Sequence, residues 1–380
     1  MLKFDNDKLK IYLIDRKVDI DLSEIHADIF WIEDMGIPNF YELAFKYDIT
    51  ELSTSLKPCL TLRLLKQFEK VIFLDSDTCL YHSVEPILSD LDNHSIVLTP
   101  HYTTPQSDDL SESDIGMMRF GSFNLGFYAV KNSEQGIYFL TWWSDRCLRF
   151  GFFETQFGLS TDQKWVSVAP CFFKDLHISF NLGYNVAFWN VHERSLKRDN
   201  DHEGCYLVND IYPLIFFHFS SFDESNPEYL SKRPFSEKQK KRADLLELSK
   251  AYKQSLYTKK IDASLVKYGF DYTSDGEYIS PTLRRAYACV LSELPSNRDP
   301  FDSKGIVGVF ARRNFLFEKS SVPYVSNTYS DIPNHKRKFA AIYFVMRVIL
   351  RLIGPNKFSN LSRLLVYLSS YRQNRGLWKY

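Results

Sequence analysis

The sequence has 380 residues, 44% of them hydrophobic, and is long enough for two or three domains with sizeable cores. Its six cysteines stand singly with no CxxC or CxxxC pair, which argues against a cysteine zinc site or a disulfide framework and favours a reducing compartment. The 47 basic and 47 acidic residues cancel over the whole chain, and we expect no nucleic-acid partner.

Strand-like and helix-like runs alternate through the first 220 residues. Apolar runs predict strands at residues 10–14, 29–32, 71–74, 95–99 and 123–130, and spacings near 3.6 predict helices at 52–68 and 133–150. The uninterrupted apolar run at 71–74 is typical of a strand covered on both faces. The alternation predicts an α/β fold with a mixed, mostly parallel sheet flanked by helices.

The later part of the chain differs in pattern and in charge. A polar loop is predicted at 101–114, and after a first domain at 1–225 we expect a helical accessory region at 226–330. The remaining residues, 331–380, hold ten Lys and Arg against one acid, whereas the rest of the chain carries 37 basic and 46 acidic residues. This asymmetry predicts a partner for a basic helical tail.

The tail predicts basic amphipathic helices. Residues 339–354 form an apolar stretch in which Arg347 and Arg351 share one helical face. The stretch is shorter than the ~20 apolar residues that a spanning helix needs. Helices of this kind lie in membrane interfaces, so we expect residues 335–380 to contact an anionic membrane surface. The alternative is that they pack on the globular body or on a second subunit.

Two carboxylates directly follow the strand predicted at 71–74. Asp75 and Asp77 stand one residue apart in the stretch VIFLDSDTCLY, and like charges so close repel each other. In doubly wound sheets ligands bind at the carboxyl ends of strands, and an Asp-x-Asp there suits a divalent cation that carries a diphosphate. The alternative without a ligand is a pair of aspartates that turn or cap the chain after the strand.

A phosphatase of the haloacid dehalogenase type is a further alternative, with Asp75 as its nucleophile. That family follows its strand with Asp-x-Asp-x-Thr or Val, whereas this chain has Cys79 at the fifth position and Thr78 one place early. The sequence shows no convincing later pair of acidic residues of the kind that family uses.

Four motifs in order resemble the nucleotide-sugar glycosyltransferases with the GT-A fold, and in particular the retaining glycosyltransferase family 8 group of the bacterial surface-polysaccharide type. They are VIFLDSDTCL, FNLGFYAV with its FN-x-G pattern, STDQKWV with an Asp-Gln pair, and FFHFSSF with a lone histidine after an apolar strand. The resemblance covers roughly residues 10–223. It implies a Rossmann-like GT-A domain and a Mn²⁺ or Mg²⁺ ion bound by Asp75, Asp77 and His218.

The resemblance also implies roles for other residues. Asp162 and Gln163 would lie beside the anomeric carbon of the sugar and the acceptor, although Thr161 or Asp162 would serve equally well as a helix N-cap. Contacts to the donor or its sugar are expected from Lys57, Ser76, Asn124, Gly126, Asn185, Trp189 and His192. Lys57 would otherwise be a surface lysine, Gly126 a strand bulge and Trp189 a packing residue.

Two features depart from the family pattern. Family 8 enzymes commonly follow their histidine with G-x-x-K-P-W, whereas HFSSFDESNP has no lysine at that distance, which implies a different phosphate clamp. GT-A domains also begin with a strand that holds the nucleotide base, and the stretch MLKFDNDKLKIYLID reads instead as the end of the following helix and the second strand. We therefore expect the first strand to be missing, which leaves open a truncated, non-catalytic module that binds a sugar nucleotide.

The predicted activity is transfer of a hexose from a nucleoside diphosphate sugar to a glycan or lipid-linked acceptor in cell-surface polysaccharide synthesis. A UDP-sugar is favoured as donor, and we expect retention of configuration at the sugar. The metal would neutralise the leaving diphosphate. We expect such an enzyme in the cytoplasm, peripherally bound to the inner face of the membrane.

Overall fold

The computed structural model describes residues 9–23, 25–106, 114–228, 230–232, 242–256, 267–295, 299–318, 335–369 and 374–378. Helices and strands alternate along this part of the chain, so the fold is mixed α/β. The helices are α1 (Phe40–Lys46), α2 (Ile49–Leu64), α3 (Glu85–Asn93), α4 (Asp114–Phe120), α5 (Glu134–Phe150), α6 (Gln163–Val166), α7 (Ala243–Leu256), α8 (Pro281–Val290), α9 (Ile306–Arg313) and α10 (His335–Leu368). The strands are β1 (Lys10–Leu13), β2 (Asp28–Trp31), β3 (Lys70–Leu74), β4 (Thr78–Leu80), β5 (Ile96–Pro100), β6 (Phe123–Lys131), β7 (Phe153–Glu154), β8 (Leu159–Ser160), β9 (Leu176–Ile178), β10 (Val186–Ala187), β11 (Leu196–Arg198), β12 (Tyr206–Val208), β13 (Tyr212–Pro213) and β14 (Phe216–His218).

Two sheets of mixed orientation carry the strands that lead to the candidate site. In the first, with the order β3-β6-β5-β9, β6 is antiparallel to β3 and β5, while β9 is parallel to β5. In the second, with the order β10-β14-β4, β10 is parallel to β14 and β4 is antiparallel to it. The predicted mixed α/β arrangement is confirmed, but the expectation of mostly parallel strands is wrong.

The apolar pattern of the strands did not reveal their direction. Ile96, Val97 and Leu98 of β5 are all fully buried, and such runs occur wherever other layers cover both faces of a strand. The pattern reports burial, whereas direction depends on the path of the connections. Here β6 lies between β3 and β5 and pairs antiparallel with both.

Helices cover both faces of the first sheet. On one face Tyr128 of β6 packs in a buried cluster with Trp143 of α5, with ring centroids 4.9 Å apart. On the other face the preceding residue, Phe127, belongs to a cluster with Ile87 of α3. Each such side chain contributes roughly 1.5–3 kcal/mol when fully buried. Ser133 begins α5 as predicted, because its hydroxyl accepts a hydrogen bond from a backbone amide of the first turn.

The chain divides into two compact units. Unit 1 comprises Met1–Ile11, His26–Asp28 and Thr50–Val266, and unit 2 comprises Tyr12–Ile25, Ile29–Ile49 and Lys267–Tyr380. Unit 1 contains both sheets described above and α7. The predicted division into domains at 1–225, 226–330 and 331–380 stays a prediction.

Unit 2 is organised around a buried arginine. The guanidinium of Arg284 in α8 is 2% exposed and donates to three backbone carbonyl oxygens at the C-terminal end of α1, those of Ala44, Phe45 and Tyr47. It also pairs with Asp271 at 2.7 Å. A buried cation is costly unless it is paired and hydrogen-bonded, and helix C-termini favour positive charge. These contacts therefore tie α8 to α1.

Most predicted elements agree with the observed ones. The five predicted strands correspond to β1, β2, β3, β5 and β6, and the helix predicted at 133–150 is α5. The helix predicted at 52–68 is α2, which begins at Ile49 and continues through Pro58. The loop predicted at 101–114 is described at residues 101–106 and at Asp114, which already begins α4. The predicted lack of a first GT-A strand falls outside the described residues and stays a prediction.

A long exposed helix lies near the C-terminal end. Inside α10, Gly354 has non-helical angles (φ 79°, ψ 164°) and is followed by Pro355, so a kink divides the helix. By length and composition alone the stretch Arg337–Leu368 could cross a membrane, and none of its most apolar window is buried. The predicted helical extension is confirmed for these residues.

Candidate active site

The ends of strands from both sheets meet at the candidate site. β3 ends directly before Asp75, and β14 ends at His218, which pairs with Thr78 in β4. The amide of Asp75 donates to the carbonyl oxygen of Gly126 in β6 at 2.8 Å, and the carbonyl oxygen of Asp77 accepts from the amide that follows His218 at 2.8 Å. Backbone pairing therefore brings the histidine beside the Asp-x-Asp, although they are far apart in the sequence.

The three predicted metal ligands converge in space. Asp75, Asp77 and His218 each offer a ligand atom, and these atoms lie within 4.8 Å of one another. His218 Nε2 lies 2.9 Å from Asp77 Oδ1. Burial alone would raise the pKa of Asp77, but the hydrogen bond and charge of His218 outweigh it and lower that pKa. Two carboxylates and an imidazole suit a first-row divalent cation such as Mn²⁺, and the binding of a metal stays a prediction.

A buried lysine balances charge on the other side of the cluster. Lys57 Nζ lies 2.9 Å from Asp75 Oδ1 and 3.4 Å from Asp162 Oδ2, and it donates to the carbonyl oxygen of Leu125 at 3.0 Å. The contact with Asp162 is an ion pair and not a hydrogen bond, because Asp162 Oδ2 is buried without a hydrogen-bond partner. Burial works against the charge of Lys57, but the two carboxylates prevail and raise its pKa. Lys57 is 7% exposed, so the alternative of a surface lysine is wrong.

Asp162 is the most buried acid of the cluster, at 3% exposed. Its Oδ1 accepts from the hydroxyl of Thr161 at 2.9 Å, and its Oδ2 faces Lys57. Burial raises the pKa of Asp162; the charge of Lys57 offsets only part of this rise, and the charge of Asp75 raises the pKa further. The side chain makes no capping hydrogen bond to α6, so the N-cap alternative is wrong for Asp162.

Gly126 allows the backbone of β6 to approach His218 closely. A Cβ atom on Gly126 would lie 2.2 Å from His218 Cε1 and 2.6 Å from His218 Nδ1, distances that real Cβ contacts do not show. A side chain at this position would therefore displace the imidazole. The strand-bulge alternative for Gly126 agrees with the pairing of β6 to β5, because the register is irregular between the pairs Leu98–Tyr128 and Pro100–Phe123, which flank Gly126.

Two asparagines orient the imidazole of His218. Asn124 Oδ1 accepts from the amide of Gly126 at 3.1 Å, which identifies that atom as oxygen. The Asn185 atom that faces it at 3.0 Å is therefore the amide nitrogen, and Asn185 presents its oxygen to His218 Nδ1 at 3.3 Å. Because the oxygen of Asn185 accepts a hydrogen bond, His218 carries a proton on Nδ1, and its other ring nitrogen, Nε2, points toward Asp77.

Sequence reasoning assigned Asn124 and Asn185 to the donor sugar and missed their contacts to the protein. The amide of Asn185 also donates to Thr99 Oγ1 in β5 at 3.2 Å. Thr99 could have been predicted as part of the site, because it stands near the end of a predicted strand and ligand sites lie at the ends of strands. The hydroxyl of Thr161, which supports Asp162, was also missed, although it stands in the STDQ motif. Sugar contacts from the two asparagines stay predictions.

Ser76 and Gln163 differ in their surroundings. Ser76, between the two aspartates, is exposed and open to a ligand. Gln163 begins α6, and its Nε2 donates to the carbonyl oxygen of Phe120 at 3.1 Å, which joins α6 to the end of α4. The predicted contact of each residue to donor or acceptor stays a prediction.

Trp189 packs inside the protein, which agrees with the packing alternative, and its predicted contact with the donor or its sugar stays a prediction. It is 5% exposed, and its ring lies edge-to-face against His218 with centroids 5.1 Å apart. Its neighbour His192 packs against Tyr102 at 5.6 Å and has no described contact with the cluster. Burial lowers the pKa of His192, which favours its neutral form.

Comparison with known proteins gives relatives but no activity. No family model matches the chain. The chain is 26% identical over 226 residues to Uncharacterized protein YfnD of Bacillus subtilis (strain 168). The matched region covers 57% of this chain and 70% of that protein. It is 25% identical over 178 residues to Uncharacterized protein YfnF of the same organism, which covers 46% of this chain and 58% of that protein. Neither name states a reaction, so a function has to be argued from the site.

Proposed function

We propose that this chain is a metal-dependent glycosyltransferase with a GT-A-like domain. It moves a hexose from a nucleoside diphosphate sugar, with a UDP-sugar favoured, to a glycan or lipid-linked acceptor of cell-surface polysaccharide synthesis in the cytoplasm. The observation that carries the proposal is the convergence of ligand atoms of Asp75, Asp77 and His218 within 4.8 Å, at the ends of strands where α/β proteins bind ligands.

The charges of the site support a dication together with a diphosphate. Asp75, Asp77 and Asp162 carry three negative charges, of which Lys57 balances one. Asp75, Asp77 and His218 would hold Mn²⁺ or Mg²⁺, which when bound neutralises charge on the leaving diphosphate. Lys57 holds Asp162 in place through an ion pair, and the exposed Ser76 is open to contact with donor oxygens.

The surroundings of Asp162 favour retention over inversion. An inverting enzyme needs a carboxylate base that reaches the acceptor hydroxyl, but Asp162 is 3% exposed, its Oδ1 accepts a hydrogen bond from Thr161, and its Oδ2 is buried 3.4 Å from Lys57. In the retaining reaction the bond from the sugar C1 to the phosphate oxygen breaks, and a bond from C1 to the acceptor oxygen forms on the same face. The acceptor proton passes to the departing phosphate oxygen, so no protein base is required.

Isothermal titration calorimetry of Mn²⁺ and UDP tests the proposal. We expect Asp77→Asn to abolish measurable Mn²⁺-dependent UDP binding, because it removes a charged ligand and leaves His218 without its acid. Asp19→Asn is the matched control, since Asp19 is an exposed acid of unit 2. Binding by Asp77→Asn equal to that of the parent protein would place the metal elsewhere.

Turnover assays separate the alternatives. Hydrolysis of a generic phosphoester that survives Asp162→Asn but is lost in Asp75→Asn would favour the haloacid dehalogenase type of phosphatase. Intact Mn²⁺ and UDP binding without hydrolysis or transfer of any sugar nucleotide would favour a non-catalytic binding module. Mn²⁺-dependent release of UDP from a UDP-sugar that is lost in Asp77→Asn supports the transferase.

A further inference from the structure

We propose that α10 docks the protein on an anionic bilayer, lying in the plane of the interface without crossing the membrane. The proposal concerns the stretch Arg337–Leu368 of unit 2 and does not depend on the reaction proposed for unit 1.

The helix presents large apolar side chains to solvent. Phe344 is 68% exposed, Tyr343 is 60% exposed and Leu352 is 79% exposed. No part of the most apolar window within Arg337–Leu368 is buried. Contiguous exposed apolar surface of this kind marks a site of contact with another protein or with a membrane, so α10 requires a covering partner.

The charge of the stretch selects lipid over a second copy of the chain. Its charged residues are all basic, namely Arg337, Lys338, Arg347, Arg351, Lys357 and Arg363. Pairing of two such helices would bring like charges together, which is unfavourable. Anionic headgroups would neutralise the same charges while the acyl region covers the apolar side chains.

Two features oppose a transmembrane arrangement. The kink at Gly354 and Pro355 divides the stretch into 17 residues before it and 14 from Pro355 onward, and each segment is shorter than the ~20 residues needed to span a bilayer. Arg347 and Arg351 stand in the second half of the first segment, where a spanning helix would carry both guanidinium groups into hydrocarbon. At the interface the same side chains reach the phosphate layer.

An open depression at the kink has a lining that suits part of one phospholipid. Its volume is about 360 Å³, and it is lined by Tyr343, Met346, Arg347, Leu350 and Phe358. The lining residues come from both sides of the kink and include one guanidinium among mainly apolar side chains. The guanidinium suits a phosphate, and the apolar walls suit the first methylene groups of an acyl chain.

Flotation of the full chain with vesicles tests the proposal. We expect binding to vesicles that contain phosphatidylglycerol and little binding to pure phosphatidylcholine. Each basic side chain near an anionic leaflet adds a similar amount of binding free energy. The double variant Arg347→Gln with Arg351→Gln should therefore lower the partition coefficient about 30-fold. The matched control is Lys66→Gln with Lys250→Gln, which removes two exposed charges from unit 1. Equal binding to both kinds of vesicle, or equal loss in the control, would overturn the proposal.

Three further measurements establish the mode of contact. Phe344→Ser with Leu352→Ser should weaken vesicle binding without a change of charge, whereas Phe315→Ser, at a position 93% exposed outside α10, should not. Alkaline carbonate should release the bound protein, and retention in the membrane would instead indicate a spanning helix. Sedimentation velocity without lipid should show a monomer; self-association that Phe344→Ser with Leu352→Ser abolishes would assign this surface to a second copy of the chain.

Discussion

The two aspartates of the Asp-x-Asp have different partners. Asp75 contacts Lys57, whose raised pKa keeps its positive charge permanent near neutral pH. Asp77 contacts His218, whose Nε2 binds a metal only when it carries no proton. Asp75 is therefore paired with a permanent cation. Asp77 is paired with a group that can itself bind a metal.

Burial explains why the two sides differ. The side chains of Lys57 and Asp162 are 8% and 4% exposed, whereas those of Asp75 and Asp77 are 32% and 41% exposed. A buried charge needs a partner at all times, because water cannot replace it. An exposed carboxylate tolerates an exchange between an imidazole, water and a cation. The comparison assigns a structural role to the buried pair of Lys57 and Asp162, and a ligand-binding role to the more exposed carboxylates of Asp75 and Asp77.

The largest expected effect comes from removing the fixed cation. Lys57→Met leaves Asp162 buried without a counterion, and loss of one partner of a buried pair costs about 3–5 kcal/mol. Urea denaturation at neutral pH measures the free energy of unfolding. The double variant with Asp162→Asn should recover most of the loss, and Lys250→Met, at an exposed lysine, should cost almost nothing. A loss in Lys57→Met no larger than in this control contradicts the structural role.

Displacing His218 should weaken metal binding even though no ligand is removed. Gly126→Ala places a methyl group against His218 and should weaken Mn²⁺ binding roughly 100-fold, the upper range for changes around metal ligands. Calorimetry measures the affinity, and circular dichroism checks the fold. Gly376→Ala is the control, since a Cβ there meets no atom within 4 Å. Unchanged affinity in Gly126→Ala means that His218 is not a ligand.

Removing the amide that orients His218 should have a smaller effect. Asn185 has φ 49°, so glycine replaces it without backbone strain, and Asn185→Gly should weaken Mn²⁺ binding about 10-fold. ¹⁵N NMR of the imidazole should show loss of the preference for a proton on Nδ1, a readout that a purely structural role does not move. Asn209→Gly, at φ 52°, is the matched control. An unchanged tautomer in Asn185→Gly would refute the orienting role.

The smallest effect is a dependence on alkaline pH. The pKa of Lys57 is raised in the folded protein, so its contribution to stability is complete below the pKa of a free lysine, about 10.4, and declines as pH rises through the folded value. The destabilisation caused by Lys57→Met should therefore shrink above that pH. Urea titrations of both proteins across the alkaline range measure the difference, and a constant difference argues against a charged Lys57.

Local pattern predicted much of the fold and of the site. Continuous apolar runs located β3 and β5, and Ser133 marked the start of α5, because burial and helix capping depend on nearby residues. The order of the four motifs predicted Asp75, Asp77 and His218 as ligands of one metal ion, and in the structure these three side chains lie close together. Local pattern did not disclose the antiparallel direction of β6, since apolar runs report only coverage.

By itself the sequence determined which residue types stand at the strand ends and where the basic tail lies, because these are properties of neighbours along the chain. Only the tertiary structure decided that Lys57 is the counterion of Asp75 and Asp162, and that Asn185 faces His218. These partners come from separate elements, and which of them meet depends on strand direction and on backbone approaches such as that of Gly126. Long-range pairing of charges is settled by the fold, since burial sets how strongly each charge needs its partner.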